Sequence, residues 1–516
     1  MIRVLIAGYH GFGNCGDEAI LQAMTANIRA MAKDVEITAL SYNPEFTKTE
    51  YGINSVQRFN MLQVLSAIKH SDIVLSGGGT LLQNGTSTRS LMYYLTIIKI
   101  AKFFRKRVML YANGIGPVSG KLNRRLVKMV VNTVDVITLR EKLSEADLKS
   151  IGVTKPNIMV TADPAFNLES ISDDEAWKLL DEEKIPHNEQ MIAVSVRNWS
   201  KAFGGDDYVK KVAKVCDNAI AEGKTVVFLP MEYPRDLELS KKVMSYMKEK
   251  AYIMQKRYTP SQILGIVGCF DIMLSMRLHT LIFAAVKNVP MLGIIYDPKV
   301  EYYIKELDMV EAGDVRHSPI NVKAVNEQIN DVFENMENQV SRLNTLVNSV
   351  RNFAKQKQNP QIKTDLVLIT QKAIRSLEAT EPDIEKVKIS FNSKLKTALV
   401  LADPFSLELL ILNLLRNGAQ EAVSNTAKGS PILKVELSLS NDNKSFILLV
   451  ENSGKLMTDK DLSRLVSLGE SVKPDGLGLG LSIIRGIADL HGADLGFTGR
   501  DKGGVIASLR IDQLHV

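Results

Sequence analysis

Phe270-Asp-Ile-Met-Leu-Ser-Met-Arg-Leu-His-Thr280 opens as an apolar β run and passes directly into the helical pattern Leu281-Ile-Phe-Ala-Ala285. A strand that turns straight into a helix is the building unit of a parallel α/β sheet. Such a turn leaves unpaired backbone N–H groups and the positive end of the helix dipole beside it, which makes an anion site. Arg277 in that turn can grip a carboxylate or phosphate as a fork, and His279 can move a proton near neutral pH.

The same alternation surrounds this stretch. Strand-like runs at 191–196, 225–229, near 253, at 272–275 and at 291–295 alternate with helical patterns, which predicts a Rossmann-like domain over 171–320. Arg197 ends the first of these strands and Pro230-Met-Glu-Tyr233 the second, so Arg197 and Arg277 are expected on one rim. Upstream, runs at 3–7, 36–40, 73–76, 108–111 and 134–138 predict a first Rossmann-like domain over 1–170, with a hinge between about 166 and 188. Three glycine-rich turns follow its strands: Gly8-Tyr-His-Gly-Phe-Gly-Asn-Cys-Gly-Asp-Glu-Ala-Ile-Leu21, Ser76-Gly-Gly-Gly-Thr80 and Ala112-Asn-Gly-Ile-Gly-Pro117. Open α/β sheets bind ligands at strand C-terminal ends, so the three turns point to one cleft. Singly, the first of them reads equally as a tight structural turn, because its spacing is not the dinucleotide fingerprint.

A chain of 516 residues exceeds one core. Its net charge of +6 is small for that length and does not argue for nucleic acid. Cys15, Cys216 and Cys269 are too few and too scattered for a disulfide framework or a zinc pattern, which suits a reducing cytosol. The N-terminus reads as a first strand, not a signal peptide. The most apolar long segment, 91–104, carries Lys99 and Lys102 and meets Arg105-Lys-Arg107. It is too short and too charged to span a bilayer, but as a basic amphipathic helix it suits peripheral contact at the inner membrane face; an ordinary half-buried helix fits equally.

Past residue 320 the pattern changes. Ile329, Phe333, Met336, Val340, Leu343, Val347 and Val350 recur in steps of four and three, which predicts a long helix over 321–358 with a coiled-coil seam and a homodimer through it. Packing of that helix on its own domain is the alternative. A third module fills 359–516.

Six motifs in order, the glycine-rich stretch 8–21, Ser76–Thr80, Asn113-Gly-Ile-Gly-Pro117, Ser195-Val-Arg197, Met276-Arg-Leu-His279 and Tyr296-Asp-Pro-Lys299, resemble the polysaccharide pyruvyl transferase family, in particular its CsaB-like members. The resemblance implies a glycosyltransferase-B-like pair of Rossmann-like domains, acceptor side first. It implies transfer of the enolpyruvyl unit of phosphoenolpyruvate to a lipid-linked or polymeric cell-wall sugar, closing to a pyruvate ketal, with no cofactor. By the same resemblance Arg197 and Arg277 bind the donor, Leu278 packs beside it, and His279 serves binding or acid catalysis. Gly11, Gly13, Asn14, Gly16, Asp17, Gly78 and Gly79 line the facing loops. The base is left open among Asp17, Glu18 and Asp163, each equally suited to capping a helix.

The last part of the chain resembles the α+β ATP-binding domain of sensor histidine kinases, on Asn413-Leu-Leu-Arg-Asn417-Gly-Ala, Lys473-Pro-Asp and Gly476-Leu-Gly-Leu-Gly480. That implies ATP held by Asn413, Asn417, Asn452, Gly454, Lys473, Gly476, Gly478 and Gly480, with Asn417 toward a phosphate-bound magnesium. Asn452 stands where the family has the aspartate that reads adenine, Leu456 replaces a glycine, and Leu465-Val-Ser-Leu-Gly469 is a poor phenylalanine box. The only upstream histidine within reach, His317, lacks the setting of a phosphoacceptor. The alternative function is therefore an ATP-binding transmitter without an evident phosphoacceptor, with the transferase-like part as its input module.

Overall fold

The computed structural model describes residues 1–336 except 86, 189 and 308; isolated positions 340, 343 and 347; and 362–380, 384–425, 431–456, 484–485, 487–489, 491–501 and 503–514. It divides into two compact units, Met1–Val347 and Asn348–Val516.

The first unit holds two parallel sheets. Strands β1 (Ile2–His10), β2 (Val35–Ser41), β3 (Asn54–Gln57), β4 (Ile73–Gly77), β5 (Arg107–Asn113), β6 (Val136–Leu139) and β7 (Asn157–Val160) form one, in the order β3-β2-β1-β4-β5-β6-β7. Strands β8 (Met191–Ser195), β9 (Thr225–Phe228), β10 (Tyr252–Ile253), β11 (Ile272–Ser275), β12 (Met291–Ile295) and β13 (Val310–Asp314) form the other, in the order β10-β9-β8-β11-β12-β13. Both are doubly wound, and in each the order reverses beside its first strand, where open sheets leave a crevice. The reversal places the loops after β1 and β4 side by side, and likewise those after β8 and β11. The fully buried β8, β9, β11 and β12 explain why those segments read as continuous apolar runs. Strands β3, β7 and β13 escaped the sequence reading because they are short and half-exposed edges without a hydrophobic run.

In two helices the intrachain alternative is the one seen. The helix Thr88–Phe103 buries Leu91, Tyr94, Leu95, Ile97, Ile98 and Ala101 in its own domain, as an ordinary half-buried helix does. The long helix expected from 321 begins as Val322–Glu334, capped at Asn335. It packs on the helix Asp207–Ala221, burying Val325, Ile329 and Val332, while Asn326 donates to Val215 O at 3.0 Å. Its apolar steps thus serve intrachain packing over that span, and most of 337–361 lies outside the described residues.

The second unit carries a mixed sheet of β15 (Lys388–Ser393), β17 (Ile432–Leu439), β18 (Ser445–Asn452), β19 (Asp494–Gly499) and β20 (Val505–Asp512), in the order β15-β17-β18-β20-β19, and a two-stranded pair, β14 (Ile362–Asp365) with β16 (Leu399–Ala402). The helices Leu366–Thr380 and Pro404–Asn425 cover one face. Leu407, Leu410, Ile411, Leu414 and Leu415 of the second sit in the same core as Leu433, Val435, Leu448 and Val450. This is an α+β layer arrangement.

Candidate active site

The turn after β11 is built by hydroxyls. Ser275 Oγ accepts from Arg277 N at 2.8 Å, and Thr280 Oγ1 donates to Arg277 O at 2.7 Å, so the helix Leu278–Val286 starts abruptly at Arg277 without a capping side chain. Leu278 and His279 fill its first turn, both half-buried.

His279 reaches the other half of the unit. A Cβ placed on Gly16 would lie 2.1 Å from His279 Nδ1, so glycine alone admits the ring there. His279 Nε2 stands 3.7 Å from Asp163 Oδ2, an ion-pair distance too long for a hydrogen bond, and it is buried without a hydrogen-bond partner. Asp163 accepts from Arg140 Nη1 at 2.6 Å and from Ala165 N at 3.0 Å. Burial works against its charge, but Arg140 and His279 override this and hold the carboxyl well below the usual range.

From Arg140 the polar contacts continue to Glu141, whose carboxylate lies 3.2 Å from Arg140 Nε and 3.1 Å from Lys299 Nζ. Lys299 also donates to Thr80 Oγ1 at 2.9 Å. Burial lowers the Lys299 ammonium from its ordinary value, with Glu141 opposing. These side chains join the loop after β12 to the loops after β4 and β6, across the two halves. Arg140, Glu141 and Lys299 were not among the expected site residues. The available signal was a charged Arg-Glu pair directly at the end of β6 and a lysine closing Tyr296-Asp-Pro-Lys299.

The glycine-rich loop after β1 faces His279. Asn14 caps the helix Cys15–Met31, accepting from Gly16 N and donating Nδ2 to Asp17 Oδ2 at 2.6 Å. Asp17 is buried, and its Oδ1 would stand 2.5 Å from a Cβ on Gly79, which has φ +71°. Burial raises the Asp17 carboxyl to about 6, with His279 and Arg140 pulling the other way. Glu18 is held differently: it accepts from Gly11 N at 2.7 Å and from Tyr51 Oη at 3.1 Å, tying down the loop, and burial raises it to about 7. Gly11, Gly13 and Gly78 all have positive φ, and Gly13 O accepts from Tyr233 N at 3.1 Å. With Cys15 N donating to Met231 O at 2.8 Å, the loop is zipped onto the segment after β9.

Arg277 departs from the simple picture of a free anion fork. Its Nη2 lies 2.8 Å from Glu232 Oε2 and 2.5 Å from Asp236 Oδ1. Asp236 is anchored by Met231 N and Glu232 N, while Glu232 also pairs with Arg235. Both acceptors sit on Nη2, and Arg277 Nε is buried without a partner. Arg197 is half-buried and donates Nη1 to Tyr296 Oη at 2.9 Å.

In the second unit, Asn413 and Asn417 lie four residues apart on the helix Pro404–Asn425. Asn413 Nδ2 is turned back to Leu409 O, and Asn417 is exposed. Asn452 is buried at the end of β18 and donates to Ser453 O. A Cβ on Gly418 would lie 3.4 Å from Asn452 Cβ, one on Gly454 2.8 Å from Glu421 Cγ, and one on Gly503 2.4 Å from Gly454 O. The helix, the Asn452–Gly454 turn and Gly503-Gly504 thus converge. Lys473, Gly476, Gly478 and Gly480 lie outside the described residues. His317 sits in an exposed turn after β13, 3.9 Å from Asp314, and not on a helix.

Residues 14–298 match the family model described as polysaccharide pyruvyl transferase. Residues 402–515 match that of the histidine kinase-, DNA gyrase B- and HSP90-like ATPase. The chain is 22% identical over 400 residues to the amylovoran biosynthesis protein AmsJ of Erwinia amylovora, covering 66% of this chain and 95% of AmsJ. Over 184 residues it is 26% identical to the C4-dicarboxylate transport sensor protein DctS of Rhodobacter capsulatus, covering 36% of this chain and 27% of DctS. Among solved structures, the S. aureus MnaA–UDP co-structure aligns at a TM-score of 0.48 and 14% identity, over 69% of this chain and 97% of that one. The catalytic domain of histidine kinase ThkA aligns at 0.26 and 21%, over 30% and 97%. With the first family model spanning more than half of its length, the chain belongs to the polysaccharide pyruvyl transferase family and carries a histidine-kinase-like ATPase domain behind it.

Proposed function

We propose that the cleft of the first unit transfers the enolpyruvyl unit of phosphoenolpyruvate to a sugar and closes it to a pyruvate ketal. The observation that carries this reading is His279 at a helix N-terminus, set against Gly16 and Asp163, with the raised carboxyl of Asp17 on the facing loop. Of the three candidate bases, Asp163 is pinned by Arg140 and Glu18 through both oxygens by Gly11 and Tyr51, whereas Asp17 is bonded through Oδ2 to Asn14 and is the one we assign to accept a proton. Its carboxyl near 6 is matched to work near neutrality.

A sugar hydroxyl adds to C2 of the donor and gives its proton to Asp17, while His279 protonates C3 to a methyl group. The C2–O bond to phosphate breaks and its electron pair leaves with the phosphate. A second hydroxyl adds to C2 and returns a proton to His279, and the proton on Asp17 leaves with phosphate. Asp163 faces the imidazole with a carboxylate 3.7 Å from Nε2. Arg197 and the unpaired N–H groups at the start of Leu278–Val286 neutralise the donor anions.

Incubation with phosphoenolpyruvate and amino-sugar acceptors, lipid-linked and free, is expected to release phosphate and yield an acceptor heavier by the pyruvate ketal in mass spectrometry. Full activity in an Arg197→Ala, His279→Ala double variant refutes the reading. For the second unit we propose that Asn417 and the Asn452–Gly454 turn take ATP with magnesium. Calorimetry is expected to show weak binding, since Asn452 lacks the aspartate charge, and no radiolabel from ATP is expected on the protein.

A further inference from the structure

One surface beside the cleft is unused by this chemistry. Tyr9, near the end of β1, and Phe12, on the glycine-rich loop behind it, stack with centroids 4.1 Å apart, and Phe12 stacks on Tyr42 at 4.6 Å. Tyr42 meets Phe59 edge-on at 6.3 Å, and Phe59 meets Tyr93 at 6.2 Å. The outer rings are open to solvent: Tyr42 is 51% exposed and Phe59 60%.

Beneath the rings lies Arg58, only 4% exposed, with its guanidinium carbon 4.7 to 5.9 Å from the centroids of Tyr9, Phe12, Phe59, Tyr93 and Tyr94. It donates to Gly8 O at 2.7 Å and Tyr94 Oη at 3.3 Å, its Nε has no acceptor, and no carboxylate among the described residues pairs with it. A buried cation held by ring faces and two neutral oxygens is an expensive way to hold a loop. Folding alone does not account for it or for two exposed flat rings beside it.

The inner end of the ladder adjoins the reacting groups. After burial, the charges of Glu232 and Asp17 contribute most to raising the Tyr9 hydroxyl. Asn14, two residues past Phe12, bridges to Glu232. From the carboxylate side of the cleft the rings therefore lead outward in the order Tyr9, Phe12, Tyr42, Phe59.

We propose that this ladder is an extended acceptor subsite, which packs the apolar faces of sugar rings beyond the one being modified on Tyr42 and Phe59. The proposal rests on the transfer reading above. Flat aromatic faces continuous with the cleft suit carbohydrate, whose C–H-lined ring faces lie on them while its hydroxyls stay wet. The subsite recognises acceptor length, not the donor.

The test compares two acceptors, the p-nitrophenyl glycoside of N-acetylmannosamine and a tetrasaccharide ending in the same sugar, with the KM for phosphoenolpyruvate as internal reference. The wild-type protein is expected to show a KM about tenfold lower for the tetrasaccharide. Tyr42→Ala and Phe59→Ala, both at exposed positions, are each expected to narrow that gap, and the double variant to close it. A gap that survives the double variant overturns the subsite while leaving pyruvyl transfer intact. If the wild-type protein transfers nothing, the transfer reading fails, and calorimetry with the tetrasaccharide decides the subsite separately: binding lost in the double variant supports it, equal binding overturns it. Sedimentation with phosphatidylglycerol vesicles covers the remaining case. Vesicle binding that falls in the double variant and in Leu62→Asp, with the gap unchanged, makes the surface a membrane contact and overturns the proposal.

Discussion

The two halves of the first unit have the same strand order and present opposite chemistry at the same place. At its reversal point the second half offers Arg197, Arg277 and His279, on turns fixed by the Ser275 and Thr280 hydroxyls. The first half offers glycines, the raised carboxyl of Asp17 and a pinned Asp163. Topology fixes where ligands meet the protein, and the loop residues decide which ligand. On the transfer reading proposed above, the cation-bearing rim takes the anionic donor and the carboxylate-bearing one the hydroxyl acceptor.

The sharpest break of this division is at the reacting pair. Asp17→Asn and His279→Gln are each expected to lower kcat by about 10²- to 10⁴-fold, with the phosphoenolpyruvate dissociation constant changed less than threefold. Asp17→Asn should also raise stability. Its carboxyl stands near 6 against an unfolded value of 3.8, so protonation stabilises the fold fully below 3.8, and that contribution is lost as the pH rises through 6. At pH 7.5 the ionised group is a net burden of about 3 kcal/mol, and the variant is expected to melt higher. A variant that melts lower and keeps its turnover makes Asp17 structural and ends the division of roles. The wild-type rate should fall as the pH drops below about 6, where Asp17 is protonated.

Asp163 is expected to act through stability as well as through His279. Removing its charge by Asp163→Leu leaves Arg140, otherwise paired within its own half with Glu141, partly uncompensated in the interior. The expected loss is about 3 to 5 kcal/mol, read as a lowered Tm. The conservative Asp163→Asn keeps the shape and is expected to recover the Tm in part while kcat falls, since the carboxylate facing His279 Nε2 is gone. An unchanged kcat removes Asp163 from the mechanism.

Much of this was legible before any coordinates. The apolar strands β1, β4, β5, β8, β11 and β12 announced themselves as continuous runs, and each glycine-rich or charged turn behind them landed at a strand end on the cleft. What stayed hidden depends on contacts between segments distant in the chain. Nothing local to Asp17, Glu18 or Asp163 distinguishes a free carboxylate from one held by Tyr51 or Arg140. The Arg277 pairing needs Glu232 and Asp236, over forty positions away. The heptad-like steps beginning at Ile329 are ambiguous for a related reason: a helix that packs on one neighbour in its own domain repeats its apolar residues much as a dimer seam does. At Asn452 and Asn417 the motif placed the residues on facing elements of the second unit.

The smallest expected effect bears on the one cation whose geometry disagrees with its assigned task. Arg277 already faces two carboxylates, and a donor anion has to compete with them for its guanidinium. Asp236 is fixed by two backbone N–H groups and by its burial, so it is the structural partner. Glu232 is the exchangeable one: it is less buried, shares Arg235, and sits on the segment zipped to the glycine-rich loop. Glu232→Gln removes one competing charge and keeps the shape, and it is expected to tighten phosphoenolpyruvate binding by about three- to tenfold in calorimetry, a gain of the size of one partly exposed ion pair. Arg277→Lys, which cannot fork, is expected to weaken it. If Glu232→Gln leaves the donor affinity unchanged or weakens it, Arg277 is a brace for the loop after β9, and the donor rests on Arg197 and the helix N-terminus alone.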